Sequence, residues 1–263
     1  MVRAGRPGRI GTLAPMPSEP PTSHVRVLVV LPAWNEARSL PAVLDEIATH
    51  LPDAGVVVVN DGSSDATSAV ARAGGAEVLD LPFNLGVGAA MRAGFRYALA
   101  HGYDAVVQVD ADGQHDPRDV PRLVAGLAEA DVVIGARFAE SGDYTVRGPR
   151  WWAMRVLATV LSRMARTRLT DTTSGFRASG PAAIRLFAVH YPAEYLGDTV
   201  ESLVMAVRSG LTVRQVGVAM RERSAGRPSQ RPWKAAVYLM RACLALLIAV
   251  TRPRHTSVGE VPA

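Results

Sequence analysis

The sequence is almost free of cysteine, the residue from which disulfide networks and cysteine-based zinc sites are built. Its 263 residues include one cysteine, Cys243. A single thiol has no partner within the chain for a disulfide and cannot form a cysteine-based zinc site. A reducing, cytoplasmic setting is therefore expected.

Long uninterrupted apolar runs are scarce as well. The last apolar stretch, 233–250, contains Lys234 and Arg241 and falls short of the roughly 20 apolar residues that a membrane span needs. Two interpretations of 231–252 stay open. One is a helix that lies flat in a membrane interface, where flanking arginines attract anionic headgroups. The other is a helix packed on protein.

The two ends of the chain are expected to lie outside the folded domain. Residues 1–23 are rich in Pro, Gly and Arg and contain no apolar run of signal-peptide length, so we expect a disordered leader. Residues 253–263 are expected to form a flexible tail. The 48% hydrophobic content is enough for one large α/β domain over residues 24–230.

Lysine is nearly absent. Of the 29 basic residues all but Lys234 are arginine, whose planar guanidinium fits phosphate oxygens in pairs. Six arginines and no acid lie between Arg147 and Arg168, and eight basic residues face one acid from Arg221 to Arg254. Phosphate-bearing partners explain this concentration; a general bias toward arginine codons is the other explanation for the overall excess.

Two glycine-rich signatures are missing. No GxGxxG motif joins the first apolar run to the following helix, which argues against a dinucleotide-dependent oxidoreductase. The glycine-rich arginine loop of sugar nucleotidyltransferases is absent from the same place. Both classes of enzyme are therefore disfavoured.

What the chain does contain is an alternation of short β-branched runs and helical periodicity. Continuous apolar runs indicate strands buried on both faces of a parallel sheet. The predicted strands are 25–32, 55–61, 76–82, 104–110 and 131–137. The predicted helices are 37–51, 64–73, 86–100, 118–129, 149–165 and 199–209. Ligands of such sheets bind beyond the carboxyl ends of the strands.

Two carboxylates, Asp110 and Asp112, follow the fourth predicted strand. Hard oxygen donors with open positions suit Mg²⁺ or Mn²⁺ bound jointly with a diphosphate. Such a metal neutralises the charge that grows on a departing nucleoside diphosphate. Acidic pairs at strand ends are common, and this pair considered alone indicates no more than a metal site or a capping site.

Hydrogen-bonding groups also end the first two predicted strands. Asn35 and Glu36 follow the first strand, and Asn60 and Asp61 are the last residues of the second. Asp61 is predicted to accept a hydrogen bond from a base or ribose. The next helix is predicted to be capped by Ser64 or Asp65, and for Asp65 the capping role is favoured.

Five motifs in this order resemble glycosyltransferase family 2, whose catalytic domain has the GT-A fold. The resemblance covers about residues 25–230. The motifs are PAWNE (32–36), NDGSSD (60–65), NLGVG (84–88), DADGQHDP (110–117) and DTTSGFR (171–177). It implies a Rossmann-like, mostly parallel central sheet flanked by helices, with a C-terminal apolar or amphipathic helix.

Within the family the chain looks most like the dolichyl-phosphate or polyprenyl-phosphate mannose and glucose synthases. That likeness implies transfer of a hexose from GDP-mannose or UDP-glucose to a lipid phosphate, with inversion, at the cytoplasmic face of the membrane. It implies Mg²⁺ or Mn²⁺ as cofactor, peripheral membrane contact and no nucleic-acid partner. Two alternatives are a soluble family 2 transferase that acts on a sugar, metabolite or natural product, and a non-catalytic nucleotide- or membrane-binding module.

The resemblance also assigns residues to the site. The metal and diphosphate would be held by Asp110, Asp112 and Gln114. The nucleotide-sugar would be bound by Pro32, Ala33, Trp34, Asn35, Glu36, Val59, Asp61, Asn84, Asp110, Ala111 and Arg137. The acceptor or its phosphate would be bound by Arg155, Thr159, Ser174 and Arg223. Asp112 and Arg137 would take part directly in catalysis.

Asp198 and Glu201 are the candidates for a catalytic base, since they lie one helical turn apart. Family members that act on hydroxyl groups use a carboxylate near this position. A phosphate acceptor is already an anion and needs little deprotonation. Asp198 has the alternative role of a helix N-cap, and His115 either joins the metal ligands or simply follows them.

Overall fold

The computed structural model describes residues 25–136, 149–192 and 198–221. The strands in this part are β1 Val27–Ala33, β2 Gly55–Asn60, β3 Glu77–Asp80, β4 Ala105–Gln108, β5 Val132–Ala136, β6 Arg177–Ser179 and β7 Val213–Gly217. The α-helices are α1 Leu40–His50, α2 Thr67–Ala73, α3 Val87–Ala100, α4 Val120–Gly126, α5 Pro149–Ala165, α6 Pro181–His190 and α7 Asp198–Arg208. A 3-10 turn, Pro117–Asp119, leads into α4.

The strands form a single sheet in the order β3-β2-β1-β4-β6-β5-β7. β6 pairs antiparallel with β4 and β5, and every other pairing is parallel. Leu31 of β1 pairs with Val58 of β2, and Val30 pairs with Gln108 of β4. The carboxyl ends of these three strands therefore reach the same edge of the sheet, and the predicted mostly parallel α/β fold is confirmed.

The apolar runs form strands because both of their faces are covered. Along β1, Leu28 and Val30 pack with the residues of α3, α5, α6 and α7 on one side of the sheet. Val29 and Leu31 pack with α1, α2 and α4 on the other side. All four side chains are at most 1% exposed, so hydrophobic burial on both sides drives the assembly of this layer.

The structure adds three elements that we did not predict from the sequence. β6 is only three residues long, and β7 lies at a sheet edge with Val213 and Gly217 buried and Arg214 exposed. α6 follows β6 directly. Three predicted helices start later or end earlier than expected: α1 starts at Leu40 instead of residue 37, α2 starts at Thr67 instead of residue 64, and the predicted helix 118–129 is the 3-10 turn followed by α4.

Within the described residues no helix has the length and hydropathy that crossing a bilayer requires. The expected leader 1–23, the helix predicted over 231–252 and the tail 253–263 lie outside those residues. Arg137 and Arg223, both predicted to contact phosphate, also lie outside them.

Candidate active site

The loops that follow β1 and β2 are joined through Asn35. Its backbone has a positive φ of 56°, which asparagine tolerates better than most residues. Its N–H donates to Ser63 Oγ at 2.9 Å, and its Oδ1 accepts from the Ser64 N–H at 2.9 Å. The Glu36 N–H donates to Thr67 Oγ1 at 2.9 Å. The first two motifs thus form one continuous surface at the sheet edge.

Asp61 fixes the loop that follows β3. The residue is only 4% exposed. Its Oδ1 accepts from the Leu85 N–H at 2.7 Å, and its Oδ2 accepts from the Gly86 N–H at 2.8 Å. Each carboxylate oxygen has a second lone pair, so the predicted contact with a base or ribose is compatible with this anchoring role.

The backbones of the β2 and β3 loops touch at Gly62. Its φ is +65°, and a Cβ added there would lie 2.5 Å from the Phe83 carbonyl carbon and 2.6 Å from the Asn84 nitrogen. Only a residue without a Cβ allows this approach. The contact holds Asn84, a residue predicted to bind the nucleotide-sugar, beside the second motif.

The other residues predicted for the nucleotide-sugar pocket differ in exposure. Trp34 is 49% exposed at the sheet edge, while Pro32 and Glu36 are half-buried. Ala33 is buried, and Val59 is fully buried in the core beside α3. Their contacts with a nucleotide stay predictions.

The acidic motif leaves β4 beside the end of β1. The Asp110 side chain is 36% exposed, while Asp112 is 6% exposed and Ala111 2%. Asp112 Oδ1 accepts from the Gln114 N–H at 3.0 Å, and Gly113 takes a φ of 78°. The tight turn brings the three predicted metal ligands into one loop.

The DTTSGFR turn lies directly against Asp110. A Cβ on Gly175 would be 2.9 Å from Gln108 Nε2 and 3.5 Å from Asp110 Oδ1. Ser174 is buried, and its Oγ accepts from the Phe176 N–H at 3.3 Å. The fold therefore brings the turn that contains Ser174, a residue predicted to bind the acceptor, against the acidic motif.

Arg177 ties the same turn to α7. Its buried guanidinium donates to the carbonyl oxygens of Thr172 at 2.9 Å and Thr199 at 2.7 Å, and its Nε donates to the Ser174 carbonyl at 2.8 Å. Hydrogen bonds from a charged donor are each stronger than those between neutral groups. Arg177 thereby fixes the first turn of α7 behind the DTTSGFR turn.

The two candidate bases lie on that first turn of α7. In the described residues α7 starts at Asp198, and the alternative role of this residue as a helix N-cap stays a prediction. Its side chain lies outside the described residues. Glu201 is half-buried, and its role as a base stays a prediction.

Arg155 and Thr159, predicted to bind the acceptor, are both exposed on α5. Thr159 Oγ1 donates to the Arg155 carbonyl at 2.7 Å. Leu157 and Leu161 are buried, which leaves the arginine and the threonine on the solvent-facing side of the helix. An acceptor role for this pair remains a hypothesis.

A network of ion pairs holds the acidic loop to the rest of the domain. Asp116 Oδ2 lies 2.6 Å from Arg118 Nη2 and 2.8 Å from Arg221 Nη2, and Arg221 Nη1 lies 2.6 Å from Glu46 Oε2 on α1. The Arg221 N–H also donates to the Gln114 carbonyl at 3.1 Å. Hydrogen bonds from Arg118 and, less strongly, Arg221 hold the Asp116 pKa far below its usual range, although burial opposes the shift.

We expect the Asp116→Asn substitution to lower the free energy of unfolding at pH 7 by about 2 kcal/mol, because it removes charge-assisted hydrogen bonds. The folded-state pKa lies below the unfolded value of about 3.9. The carboxylate therefore stabilises the fold fully above that value and progressively less as the pH falls toward the folded pKa. The difference between wild type and variant should narrow by about 1 kcal/mol from pH 5 to pH 3. Urea unfolding at each pH measures the difference in the free energy of unfolding, and a difference that does not change with pH would contradict the lowered pKa of Asp116.

Two residues of the site carried a sequence signal that we did not use. Gln108 is a polar residue within an apolar strand, and Arg177 is an arginine in a buried segment. Each is an exception to the burial pattern, and buried polar groups are usually hydrogen-bonded for a reason. Arg221 offers no comparable signal, since its partner Glu46 lies 175 positions away.

Comparison with known proteins places this chain in a family. The model of glycosyl transferase family 2 matches residues 28–191. Undecaprenyl-phosphate mannosyltransferase of Micrococcus luteus is 34% identical over 212 residues, which cover 77% of this chain and 86% of that protein. Polyprenol monophosphomannose synthase of Mycolicibacterium smegmatis is 32% identical over 219 residues, which cover 76% of this chain and 79% of that protein.

A solved structure shares the fold. Glucosyl-3-phosphoglycerate synthase from Mycobacterium tuberculosis, crystallised with Mn²⁺, uridine diphosphate and glucosyl-3-phosphoglycerate, matches with a TM-score of 0.65 and 24% identity. The match covers 88% of this chain and 81% of that chain. At this identity the likeness concerns the GT-A architecture. The family model and the two sequence relatives go further: the chain belongs to glycosyl transferase family 2 and is a glycosyltransferase.

Proposed function

We propose that this chain transfers a hexose, with mannose favoured over glucose, from a nucleotide-sugar to a polyprenyl or dolichyl phosphate. The observation that carries the proposal is the similarity, over three quarters of the chain, to two enzymes whose names specify mannose transfer to polyprenyl carriers. The reaction would take place at the cytoplasmic face of the membrane, with peripheral contact and inversion at the sugar. The donor would be GDP-mannose or UDP-glucose.

The joined loops after β1, β2 and β3 support a nucleotide-sugar pocket. Asn35 and Asp61 each connect two of these loops through hydrogen bonds of 2.7–2.9 Å. Such pre-formed loops at the carboxyl ends of parallel strands are where α/β folds bind nucleotides. Trp34, half exposed at the same edge, offers an aromatic surface to the donor.

The acidic loop fits a divalent cation shared with the donor diphosphate. Asp110 and Asp112 supply hard oxygen ligands, and Mg²⁺ is commonly held by one or two carboxylates together with substrate phosphates. In the part of the chain that the structure describes, no group of three or more His, Cys, Asp or Glu side chains is placed to hold a metal ion. Further ligands would therefore come from the Gln114 amide and the diphosphate.

In the proposed reaction, an oxygen of the acceptor phosphate attacks C1 of the sugar from the side opposite the leaving group. The new C1–O bond forms as the bond between C1 and the nucleoside diphosphate breaks, which inverts the configuration. A bound divalent cation supplies charge neutralisation on the leaving diphosphate. Arg137, which follows the last residue of β5, and Arg223 are proposed to add positive charge there. Because the acceptor is an anion, Asp198 and Glu201 need not act as bases.

A donor-consumption screen tests the proposal. Purified protein is incubated with a panel of nucleotide-sugars and Mn²⁺ or Mg²⁺, with and without a polyprenyl phosphate in detergent. We expect one donor, GDP-mannose first, to be consumed only with metal, and at least about tenfold faster with the lipid phosphate, since binding of the acceptor completes the reacting pair.

Other outcomes of the screen point elsewhere. Consumption that the lipid phosphate leaves unchanged, but a sugar or small metabolite accelerates, would establish the soluble transferase instead. Absence of any consumption, with intact nucleotide binding, would support the non-catalytic module.

A further inference from the structure

Two buried side chains that carry no metal-binding role in the proposed function lie against Asp110. Gln108 Nε2 donates to Asp110 Oδ1 at 3.2 Å. The imidazole of His115 contacts both the backbone and the carboxylate of the same residue. Gln108 is 5% exposed and His115 2%, so neither is a solvated surface group.

The orientation of His115 is set by its hydrogen bond. The Asp110 N–H donates to His115 Nδ1 at 3.0 Å. A ring whose Nδ1 accepts carries its proton on Nε2. Nε2 lies 3.6 Å from Asp110 Oδ2, which is beyond hydrogen-bond distance but close enough for an electrostatic contact between its N–H and that oxygen.

His115 is itself held in place from two directions. Its ring stacks on Phe176 with centroids 4.7 Å apart and an interplanar angle of 12°. Its backbone forms an antiparallel bridge with Met220. A ring held by a stack and a hydrogen bond can impose a single orientation on its partner.

Gly175 lies against both Gln108 and Asp110. A Cβ there would lie 2.9 Å from Gln108 Nε2 and 3.5 Å from Asp110 Oδ1, which is closer to the amide than ordinary packing allows. The absent side chain leaves the amide room to reach the carboxylate. The carboxylate of Asp110 is thus bordered by an amide donor, an imidazole N–H and a glycine backbone.

We infer that Gln108 and His115 are positioning residues that orient the Asp110 carboxylate for the divalent cation and fix the loop from residue 110 to residue 115. The inference rests on the proposed metal role of Asp110 and adds partners that hold the ligand. Groups that orient a metal ligand in this manner typically contribute 10–100-fold, as an order of magnitude, to metal affinity. Neither residue touches the metal in this assignment, so His115 is a partner of a ligand and not a ligand.

Three substitutions separate the contacts. Gln108→Leu keeps the volume and removes the amide donor to Asp110. His115→Phe keeps the stack on Phe176 and removes both ring nitrogens. His115→Asn keeps an acceptor for the Asp110 N–H but has no counterpart of the Nε2 N–H that faces Asp110 Oδ2. His101→Phe is the matched control, because His101 is an exposed histidine whose ring also stacks, on Tyr97.

Mn²⁺ affinity is measured by the loss of the free-ion electron paramagnetic resonance signal, with a saturating nucleoside diphosphate present. We expect Gln108→Leu and His115→Phe to weaken Mn²⁺ binding about tenfold or more, His115→Asn to fall between, and His101→Phe to match wild type. Thermal melting without metal identifies any variant that fails to fold, and if His115→Phe fails, the other two variants still decide the question.

The outcomes distinguish this inference from the proposed function. If wild type binds Mn²⁺ with the nucleotide and the folded variants bind it within twofold of wild type, the positioning roles are wrong while the metal site stands. If wild type binds no Mn²⁺ under these conditions, the proposed metal-dependent function itself fails, and the inference fails with it.

Discussion

Replacing Asp112 with asparagine is expected to abolish sugar transfer while leaving the fold intact. Asp112 is predicted to hold the metal and the donor diphosphate, and stabilisation of the leaving group by a metal contributes several kcal/mol to catalysis, or about a thousandfold in rate. The Gln114 N–H donates to Asp112 Oδ1 in the native loop, and the carbonyl oxygen of asparagine can accept the same bond. Initial rates of transfer at saturating donor measure the loss.

The matched control for that experiment is Asp53→Asn. Asp53 is exposed in the turn before β2, at the amino edge of the sheet, so the same loss of a carboxylate there should leave the rate unchanged. Melting temperatures should agree among wild type and both variants. Transfer by Asp112→Asn at a rate near that of wild type would refute the metal assignment.

The Gly62→Ala substitution is expected to cause the largest loss of stability among the changes considered. The added Cβ would meet the backbone of Phe83 at 2.5 Å in a residue with a φ of +65°. The left-handed conformation alone costs roughly 1–2 kcal/mol, and the overlap with the backbone should raise the total to about 3 kcal/mol or more. The loop held by Asp61 would shift, so the donor KM should also rise about tenfold.

Gly75→Ala isolates the cost of the positive φ from the cost of the steric overlap. Gly75 also has a positive φ, +81°, but a Cβ there would meet nothing within 4 Å. This variant should therefore lose only about 1 kcal/mol and keep the donor KM of wild type. Urea unfolding and donor titration of both variants make the comparison, and equal losses of stability would mean that the contact between the two loops is unimportant.

The strands and the strand-end motifs could be predicted because their information is local. Residues 56–59 of β2 are all valine, which is typical of a strand buried on both faces, and the polar residues Asn60 and Asp61 that come next mark the ligand edge. The antiparallel β6 could not be predicted in this way. It has three residues, and its pairing with β4 and β5 depends on their tertiary arrangement.

The contacts that organise the candidate site could not be predicted either, because they too depend on the tertiary arrangement. The bond from Arg221 to Glu46 spans 175 positions, and the approach of Gly175 to Asp110 joins two motifs through the fold. Spacing along the chain carries no signal for such pairs. Asp61 illustrates the limit most clearly, because the residue was predicted to contact the ligand and its carboxylate also anchors the loop at Leu85 and Gly86.

The destination of the sugar is the most direct test of the proposed function. A donor labelled in the sugar, with Mn²⁺ or Mg²⁺, is given to the protein together with equal concentrations of a polyprenyl phosphate and 3-phosphoglycerate, and the products are separated by solvent extraction and identified by mass spectrometry. We predict that the label enters the organic phase as a polyprenyl phosphohexose and that Asp112→Asn forms none. Label found only in a water-soluble phosphoglycerate product, or in free sugar, would contradict the proposal.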